Sequence, residues 1–429
     1  MKVLQGKHIL LGITGSIAAF KAAELASQLT QMGAELDVIL TPSAEKFITP
    51  LTLQSVTGRH AFTESDLWGG EAHVLHVGLG HSADLLVIAP CTANTIAKLA
   101  HGEADNLLTI TALAAQCPLF IAPAMDGGML DHPATQANLA TLAQRGAYIA
   151  GPAEGHLASG LSGKGRLLEP AELIGHIRLL LGRKGRLAAK KIVVTAGGTQ
   201  EPLDPVRVLT NRSSGKQGYA LAQAAVDAGA DVILISTPTA STPPVGVRTV
   251  AVHTAEQMLE AVLNASAGAD ALIMTAAVAD FRPKRTATDK MKSRDGIPQV
   301  ELEATEDILK AVANLSRSPE RIAVAPEGAN NSALQKPGHG NIIEARRPHV
   351  VVGFAAESRD LIENASEKLK SKHLNFIVAN DISAPDTGFG AENNRVILIH
   401  ENGDRESLPL MSKAEVADAI IERVAALLE

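Results

Sequence analysis

Apolar positions along this chain follow two regimes. Short unbroken runs, such as Ile9-Leu10-Leu11 and Ile192-Val193-Val194, alternate with longer Ala-rich amphipathic stretches. Unbroken apolar runs of this length suit strands of a parallel sheet, which are covered by helices on both faces. Two segments begin alike, with an apolar run, a Gly-rich turn, an amphipathic stretch, a Gly-Ala pair and a second apolar run. The first passes through Gly12, Ala18 and Gly33-Ala34 to Val38-Ile39-Leu40, and the second through Gly197-Gly198, Tyr219 and Gly229-Ala230 to Val232-Ile233-Leu234. Each reads as a βαβ unit. The pattern predicts an α/β protein of two Rossmann-like, three-layer domains with mostly parallel sheets.

In the front half the runs predict strands at 8–13, 36–40, 85–89, 118–122 and 147–150. In the rear half they predict strands at 191–195, 231–235, 271–275, 350–354 and 375–379, with a hairpin around 395–408. Residues 178–191 change from a helix end to a basic, Gly-punctuated connector, which places the boundary near residue 186 and gives domains of 1–186 and 187–429. A Gly-, Asn-, Pro- and Ser-rich stretch at 326–340 reads as a surface loop.

Composition narrows the partners. Apolar residues make up 46% of the chain and aromatics only 3%, which suits aliphatic sheets under Ala-rich helices. A net charge of -7 argues against nucleic acid or an anionic membrane as partner, so basic residues at a site should serve small anions. Cys91 and Cys117 have no metal-knuckle or disulfide spacing and fit a reducing cytoplasm. The start lacks a signal-peptide pattern, and the longest apolar run, 271–279, is far too short for a membrane span.

The turn G-I-T-G-S at 12–16 lies between a strand and a helix, where main-chain N–H groups can hold a phosphate. A dinucleotide site calls for G-x-G-x-x-G and an acidic residue ending the second strand, whereas that strand here ends in Thr41-Pro42-Ser43. A mononucleotide fits better, although a plain βα turn explains this segment equally well when it is taken alone. Further on come I-A-P-C-T-A-N-T at 88–95, A-P-A-M-D-G-G-M-L at 122–130, P-A-T-Q-A-N at 133–138 and G-P-A-E-G-H-L-A-S-G-L-S-G-K-G-R at 151–166. In order and spacing these resemble the flavin-dependent cysteine decarboxylases. The resemblance implies FMN, held by Gly15, Ser16, Thr41, Ser43, Thr92, Asn94 and Thr95, with His76 moving a proton during thiol oxidation. His73, His76 and His81 could also be read as metal ligands, but no cysteine or carboxylate completes such a set.

Two positions depart from that family's pattern. Asp126 stands where the family has Asn, replacing an amide donor by an acceptor that repels a substrate carboxylate. Ser159 stands where the family's lid has Cys, and a hydroxyl is a far weaker acid for protonating an enethiol.

In the rear half T-A-G-G-T-Q-E-P-L-D-P-V-R at 195–207 and N-R-S-S-G-K-Q-G at 211–218 lack Walker A spacing. With A-A-V-A-D-F at 276–281, D-K-M-K at 289–292, V-G-F-A-A-E at 352–357, E-K-L-K-S-K at 367–372 and V-A-N-D at 378–381, they resemble phosphopantothenate:cysteine ligase. The whole chain thus resembles the bifunctional coenzyme A biosynthesis enzymes. That resemblance implies that CTP activates the phosphopantothenate carboxylate as an acyl-cytidylate, from which the amine of cysteine displaces CMP. It puts CTP on Met274, Thr275, Ala276, Asp280, Lys290, Glu306, Asp307, Ile308, Leu309, Phe354, Lys368 and Lys372, with Asp280 beside Mg2+. Asn211 and Lys290 carry the acyl-transfer chemistry, and Arg207 with Asn211 holds phosphopantothenate. Thr305-Glu306 replaces the family's Asn-Pro, which adds a negative charge near a triphosphate. The family packs its front halves as trimers and its rear halves as dimers, so a homo-oligomer is expected. Two other readings stay open at this point: a ligase whose front half only binds FMN or stops at an enethiol, and a front half that serves assembly or regulation.

Overall fold

The computed structural model describes residues 3–68, 74–158, 160, 162–292, 298–316, 320–324, 341–357, 360–381 and 393–429. His73, Ser159 and the loop expected at 326–340 lie outside the described residues. The chain divides into two compact units, Lys2–Gly182 and Arg183–Glu429.

The front unit is built on six parallel strands: β1 (His8–Ile13), β2 (Glu35–Leu40), β3 (Ala61–Phe62), β4 (Leu85–Cys91), β5 (Leu119–Pro123) and β6 (Tyr148–Ile149). Alternate side chains of β1 enter different cores. Ile9, Leu11 and Ile13 join Leu25, Leu53 and Ile177 from the helices Phe20–Gln31, Pro50–Thr57 and Pro170–Gly182. Leu10 joins Leu79, Ile96, Leu107 and Leu142 from helices on the opposite face. Both faces are therefore dry, which is why the run is continuous rather than alternating. Strand order is β3-β2-β1-β4-β5-β6. The chain steps outward from β1 to β3 and then returns to β4, leaving a crevice beyond the carboxyl ends of β1 and β4 where open α/β sheets bind ligands.

The rear unit repeats the order and extends it. Its strands are β7 (Lys191–Ala196), β8 (Asp231–Ser236), β9 (Arg248–Ala251), β10 (Ala271–Met274), β11 (Val350–Glu357), β12 (Phe376–Asp381), β13 (Val396–His400) and β14 (Arg405–Ser407). They lie in the order β9-β8-β7-β10-β11-β12-β13-β14, parallel as far as β12 and antiparallel over the last two junctions. On one face Met258, Val262, Leu309, Val312, Ala365 and Leu369 close the core over Val193, Ile233 and Leu272. Across β7, the helix Lys216–Asp227 packs so closely that a Cβ on Gly218 would lie 2.6 Å from the Ala196 side chain and 2.8 Å from the Thr195 carbonyl oxygen.

Two-residue β3, four-residue β9 and the small antiparallel ribbons, such as Ala153–His156 with Ser162–Arg166, were not predicted from the apolar pattern. They are short, lie at edges or outside the main sheets and carry mixed or Gly-rich sequence, so no periodicity marks them. No described helix is long and apolar enough to cross a membrane.

Candidate active site

In the front unit, three strand ends are stitched together by side-chain hydroxyls. Thr14, buried at the end of β1, donates its hydroxyl to the Pro90 carbonyl oxygen at 2.7 Å and accepts the Thr92 N–H at 3.0 Å, joining the β1 turn to the end of β4. Thr41 donates to the Ile13 carbonyl oxygen at 3.3 Å and accepts the Ala44 N–H, drawing the β2 turn inward. Gly15 is needed for this closeness, since a Cβ there would lie 2.4 Å from the Ser43 Cβ.

Residues expected around a flavin thus converge on one edge. Ser16 accepts the Ala18 N–H at the start of a short 3-10 helix. Thr92 caps the helix Ala93–His101, accepting from the Thr95 N–H and sharing a 3.3 Å hydroxyl contact with the buried Thr95. Asn94 is exposed in the first turn of that helix. Helix starts with hydroxyls at the cap suit an anionic group. His76 sits in the first turn of the helix Leu75–Ser82, and its buried Nδ1 has no hydrogen-bond partner. An imidazole nitrogen buried without a partner calls for a ligand or a water.

Asp126 caps the short helix Gly127–Asp131 by accepting the Gly128 N–H at 3.0 Å. Just before it the Met125 N–H donates to the Gly165 carbonyl oxygen at 3.0 Å, and a Cβ on Gly165 would lie 2.1 Å from the Met125 carbonyl oxygen. The hairpin that leads to position 159 is therefore rooted against the Asp126 turn.

The rear unit holds a cavity of about 730 Å³ at the carboxyl ends of β7, β10, β11 and β12. Four segments line it with residues expected from sequence. Asn211 comes from the loop after β7, and Met274, Thr275, Ala276 and Asp280 follow β10. Glu306, Asp307, Ile308 and Leu309 begin the helix Ile308–Ala313, while Phe354, Lys368 and Lys372 come from β11 and the helix after it.

The buried Thr195 holds the β10 segment. Its hydroxyl oxygen accepts the N–H groups of both Thr275 and Ala276 at 3.1 Å, and its carbonyl accepts the Thr275 hydroxyl. Asn211 donates through Nδ2 to the Val278 carbonyl oxygen at 3.0 Å, and Thr305 donates to the Ala279 carbonyl oxygen at 2.6 Å. The Thr at 305 thus supports the turn that presents Asp280.

Charges are arranged with equal economy. Lys372 pairs with Asp307 at 2.8 Å, and Lys368 donates to the Phe354 carbonyl oxygen at 2.9 Å. Burial pushes the Asp307 carboxyl up, but the Lys372 hydrogen bond and the Lys310 N–H outweigh it, so the group sits below the usual carboxylate range. Glu306 beside it is exposed. Among the described residues no group of three or more His, Cys, Asp or Glu side chains converges on a common point.

Lys290 and Arg207 do not line the cavity. They sit together elsewhere: Asp204 accepts the N–H groups of Val206 and Arg207 at 2.8 Å, the Met291 N–H at 3.2 Å and the Arg207 guanidinium at 2.7 Å. Arg207 also donates to the Met291 carbonyl oxygen at 3.0 Å. Burial pushes the Asp204 carboxyl up, but these N–H groups and the guanidinium hold it at about 2. A single carboxylate thereby ties the exposed Lys290 strap to the Arg207 loop.

Comparison with known proteins gives the family of both halves. The flavoprotein family model matches residues 2–182, and that of the DNA/pantothenate metabolism flavoprotein C-terminal domain matches 187–336 and 339–428. The coenzyme A biosynthesis bifunctional protein CoaBC of Bacillus subtilis is 41% identical over 428 residues, covering 99% of this chain and 98% of its own. That of Mycobacterium tuberculosis H37Rv is 40% identical, covering 97% of this chain and 96% of its own. The chain belongs to the CoaBC family. A crystal structure of the C-terminal domain of such a protein shares 38% identity, covers 57% of this chain and 98% of its own, and has a TM-score of 0.43.

Several positions that shape the two candidate sites carried no assigned role in the sequence. Thr14 and Thr195 stand inside quoted motifs, but their importance depends on which strand lies alongside, and no spacing rule reports that. Gln217 and Asn380 line the rear cavity from the N-R-S-S-G-K-Q-G and V-A-N-D segments, whereas Asn394 and Lys413 come from stretches with no motif at all.

Proposed function

We propose that the rear unit, residues 187–429, joins phosphopantothenate to cysteine at the expense of CTP, and that the front unit, residues 1–186, decarboxylates the product with FMN. The observation that carries this reading is the rear cavity. Asn211, the Met274–Ala276 segment, Asp280, the start of the helix Ile308–Ala313, Phe354, Lys368 and Lys372 reach one space from four separate parts of the chain. The apolar wall of Met274, Ile308, Leu309 and Phe354 suits a base, and Lys368 and Lys372 supply positive charge for a polyphosphate. Asn211 stands by the acyl centre. Asp204 ties the Arg207 loop to the main chain beside Lys290, and these two cations serve the phosphate of the acid and the charge that develops in transfer. Mg2+ fits here as a companion of the polyphosphate, and no step is assigned to it.

For the front unit, the hydroxyl-lined helix starts at Ser16 and Thr92 fit the phosphate of FMN, and the unpartnered Nδ1 makes His76 available for proton transfer. When bound, FMN supplies oxidation of the substrate thiol and later return of the hydride. His76 takes the thiol proton. Asp126 and Ser159 replace the donor and the acid expected at the later steps, and they favour a second reading in which the front unit stops at an enethiol. Trimeric front halves, dimeric rear halves and a cytoplasmic setting complete the proposal. Incubation with phosphopantothenate, cysteine and CTP, followed by mass analysis, tests it. Phosphopantothenoylcysteine with CMP is expected, and failure to form the amide would overturn the ligase reading.

A further inference from the structure

Part of the rear cavity is lined by residues to which the sequence motifs gave no role. Gln217 enters it from the first turn of the helix Lys216–Asp227, and its Nε2 donates to the Lys413 carbonyl oxygen at 3.1 Å. That bond fixes the amide orientation, so Oε1 must serve as an acceptor, and it is buried without a partner. Asn380 Oδ1, at the end of β12, is also buried without a partner and lines the same cavity. Strand pairing leads from one to the other: Asn380 is opposite Val396, Asn394 is opposite Met411, and Lys413, whose carbonyl holds Gln217, follows two residues later. Two buried carbonyl oxygens in the wall of one cavity call for a hydrogen-bond donor, a ligand or a water.

We propose that this part of the cavity holds the amino group of the second substrate, the amine that attacks the activated acid. The inference rests on the ligase reading. The charges present select among donors. Among the described residues, the acidic ones lining the cavity, Asp280, Glu306 and Asp307, all belong to the segment between β10 and β11, whereas Asn380, Asn394, Lys216 and Lys413 line it from the segments that carry or neighbour the two oxygens. Neutral oxygens beside positive charge accept N–H bonds without favouring the ammonium form, so the amine keeps the lone pair it needs for attack. A carboxylate here would hold it protonated. The exocyclic amine of a nucleobase is the competing donor, and the nucleotide measurements below separate it from the substrate amine. In the step itself the amine lone pair forms the C–N bond and the acyl C–O bond breaks. Its electrons leave on the nucleoside monophosphate, and one N–H proton passes to water.

The test separates the two half-reactions in the full-length protein. Pyrophosphate release from CTP and phosphopantothenate without amine reports activation, and amide formation over a range of cysteine concentrations reports capture. In Asn380→Ala and Gln217→Met the KM for cysteine should rise by about tenfold each, the effect expected for one lost hydrogen bond. The KM for CTP should hold. Asn380→Asp should move the pH profile of kcat/KM for cysteine to higher pH, because the new carboxylate favours the ammonium, a change that mere packing damage does not produce. An unchanged cysteine KM in both neutral variants would mean that the oxygens hold only water and would overturn the proposal. So would a change in CTP KM, or in preference for CTP over UTP, with cysteine unaffected. If one variant fails to fold, the other decides. Absence of pyrophosphate release from the unmodified protein would instead refute the ligase reading.

Discussion

Replacing Thr195 by Val removes one oxygen from the centre of the rear unit while nearly preserving volume and strand preference. That oxygen accepts two main-chain N–H groups, from Thr275 and Ala276, each at 3.1 Å. Thr195 is completely buried, whereas Thr275 and Ala276 are half-buried, so water can reach the abandoned N–H groups only in part. Leaving a buried donor unpaired costs about 1–3 kcal/mol. Partial access puts each near the lower end, giving a total of about 2–3 kcal/mol, a large share of the ~5–15 kcal/mol that stabilises a typical domain. With a urea slope of roughly 2–3 kcal/mol per molar, the unfolding midpoint of this unit should fall by about 1 M. Because Thr275 and Ala276 line the cavity, the KM for CTP should rise together with the loss of stability. Thr195→Ser is the control: it keeps the acceptor and deletes one methyl group, at a cost of ~0.8 kcal/mol. A Val variant as stable as the Ser variant, with an unaltered nucleotide KM, would refute the argument that this hydroxyl positions the site.

Three other outcomes are expected. Asp204 has a folded value of about 2 against an ordinary 3.8, so its charge contributes stability above about pH 4, and that contribution is lost as the pH falls through 2. Acid unfolding of Asp204→Asn, followed by circular dichroism, should be flatter than wild type over this window, and parallel curves would rule the effect out. Thr14→Val removes the bridge between Pro90 and Thr92, so FMN titration by fluorescence quenching should show binding weakened by about tenfold, as for loss of one positioning hydrogen bond; wild-type affinity would contradict the assigned site. Joint replacement Asp126→Asn and Ser159→Cys should raise the yield of saturated phosphopantetheine over the unmodified protein, since the two positions act at successive steps. Mass analysis distinguishes it from the enethiol by two hydrogens, and abundant saturated product from the unmodified chain would contradict the reasoning.

The principal strands were legible from the apolar pattern because a strand buried on both faces must be apolar along its interior, and β1, β4, β7 and β8 carry the runs Ile9-Leu10-Leu11, 85–89, Ile192-Val193-Val194 and 232–235. The glycine turns were legible for a similar local reason, since Gly15, Gly197 and Gly218 stand where any side chain would collide. Motif order singled out residues that the fold brings to one cavity: Asn211, Asp280, Phe354, Lys368 and Lys372 line it although they span more than a third of the chain. Which strand lies beside which was not written in any run of residues. Pairing energy depends little on the identity of an aliphatic neighbour, so the return from β3 to β4 and from β9 to β10 emerges only when whole layers are packed. The residues whose importance follows from adjacency therefore became visible only in three dimensions. Thr14 matters because β4 ends beside it, Thr195 because β10 does, and Asp204 because the Lys290 strap folds onto its loop. Asn380 and Gln217, 163 positions apart by their numbering, line one cavity because β14, antiparallel to β13, returns the chain to the end of the sheet where Asn380 lies, and Lys413, which holds Gln217, follows it. Local chemistry chose the elements and their turns, while the long-range packing of those elements decided which polar atoms were left facing a ligand.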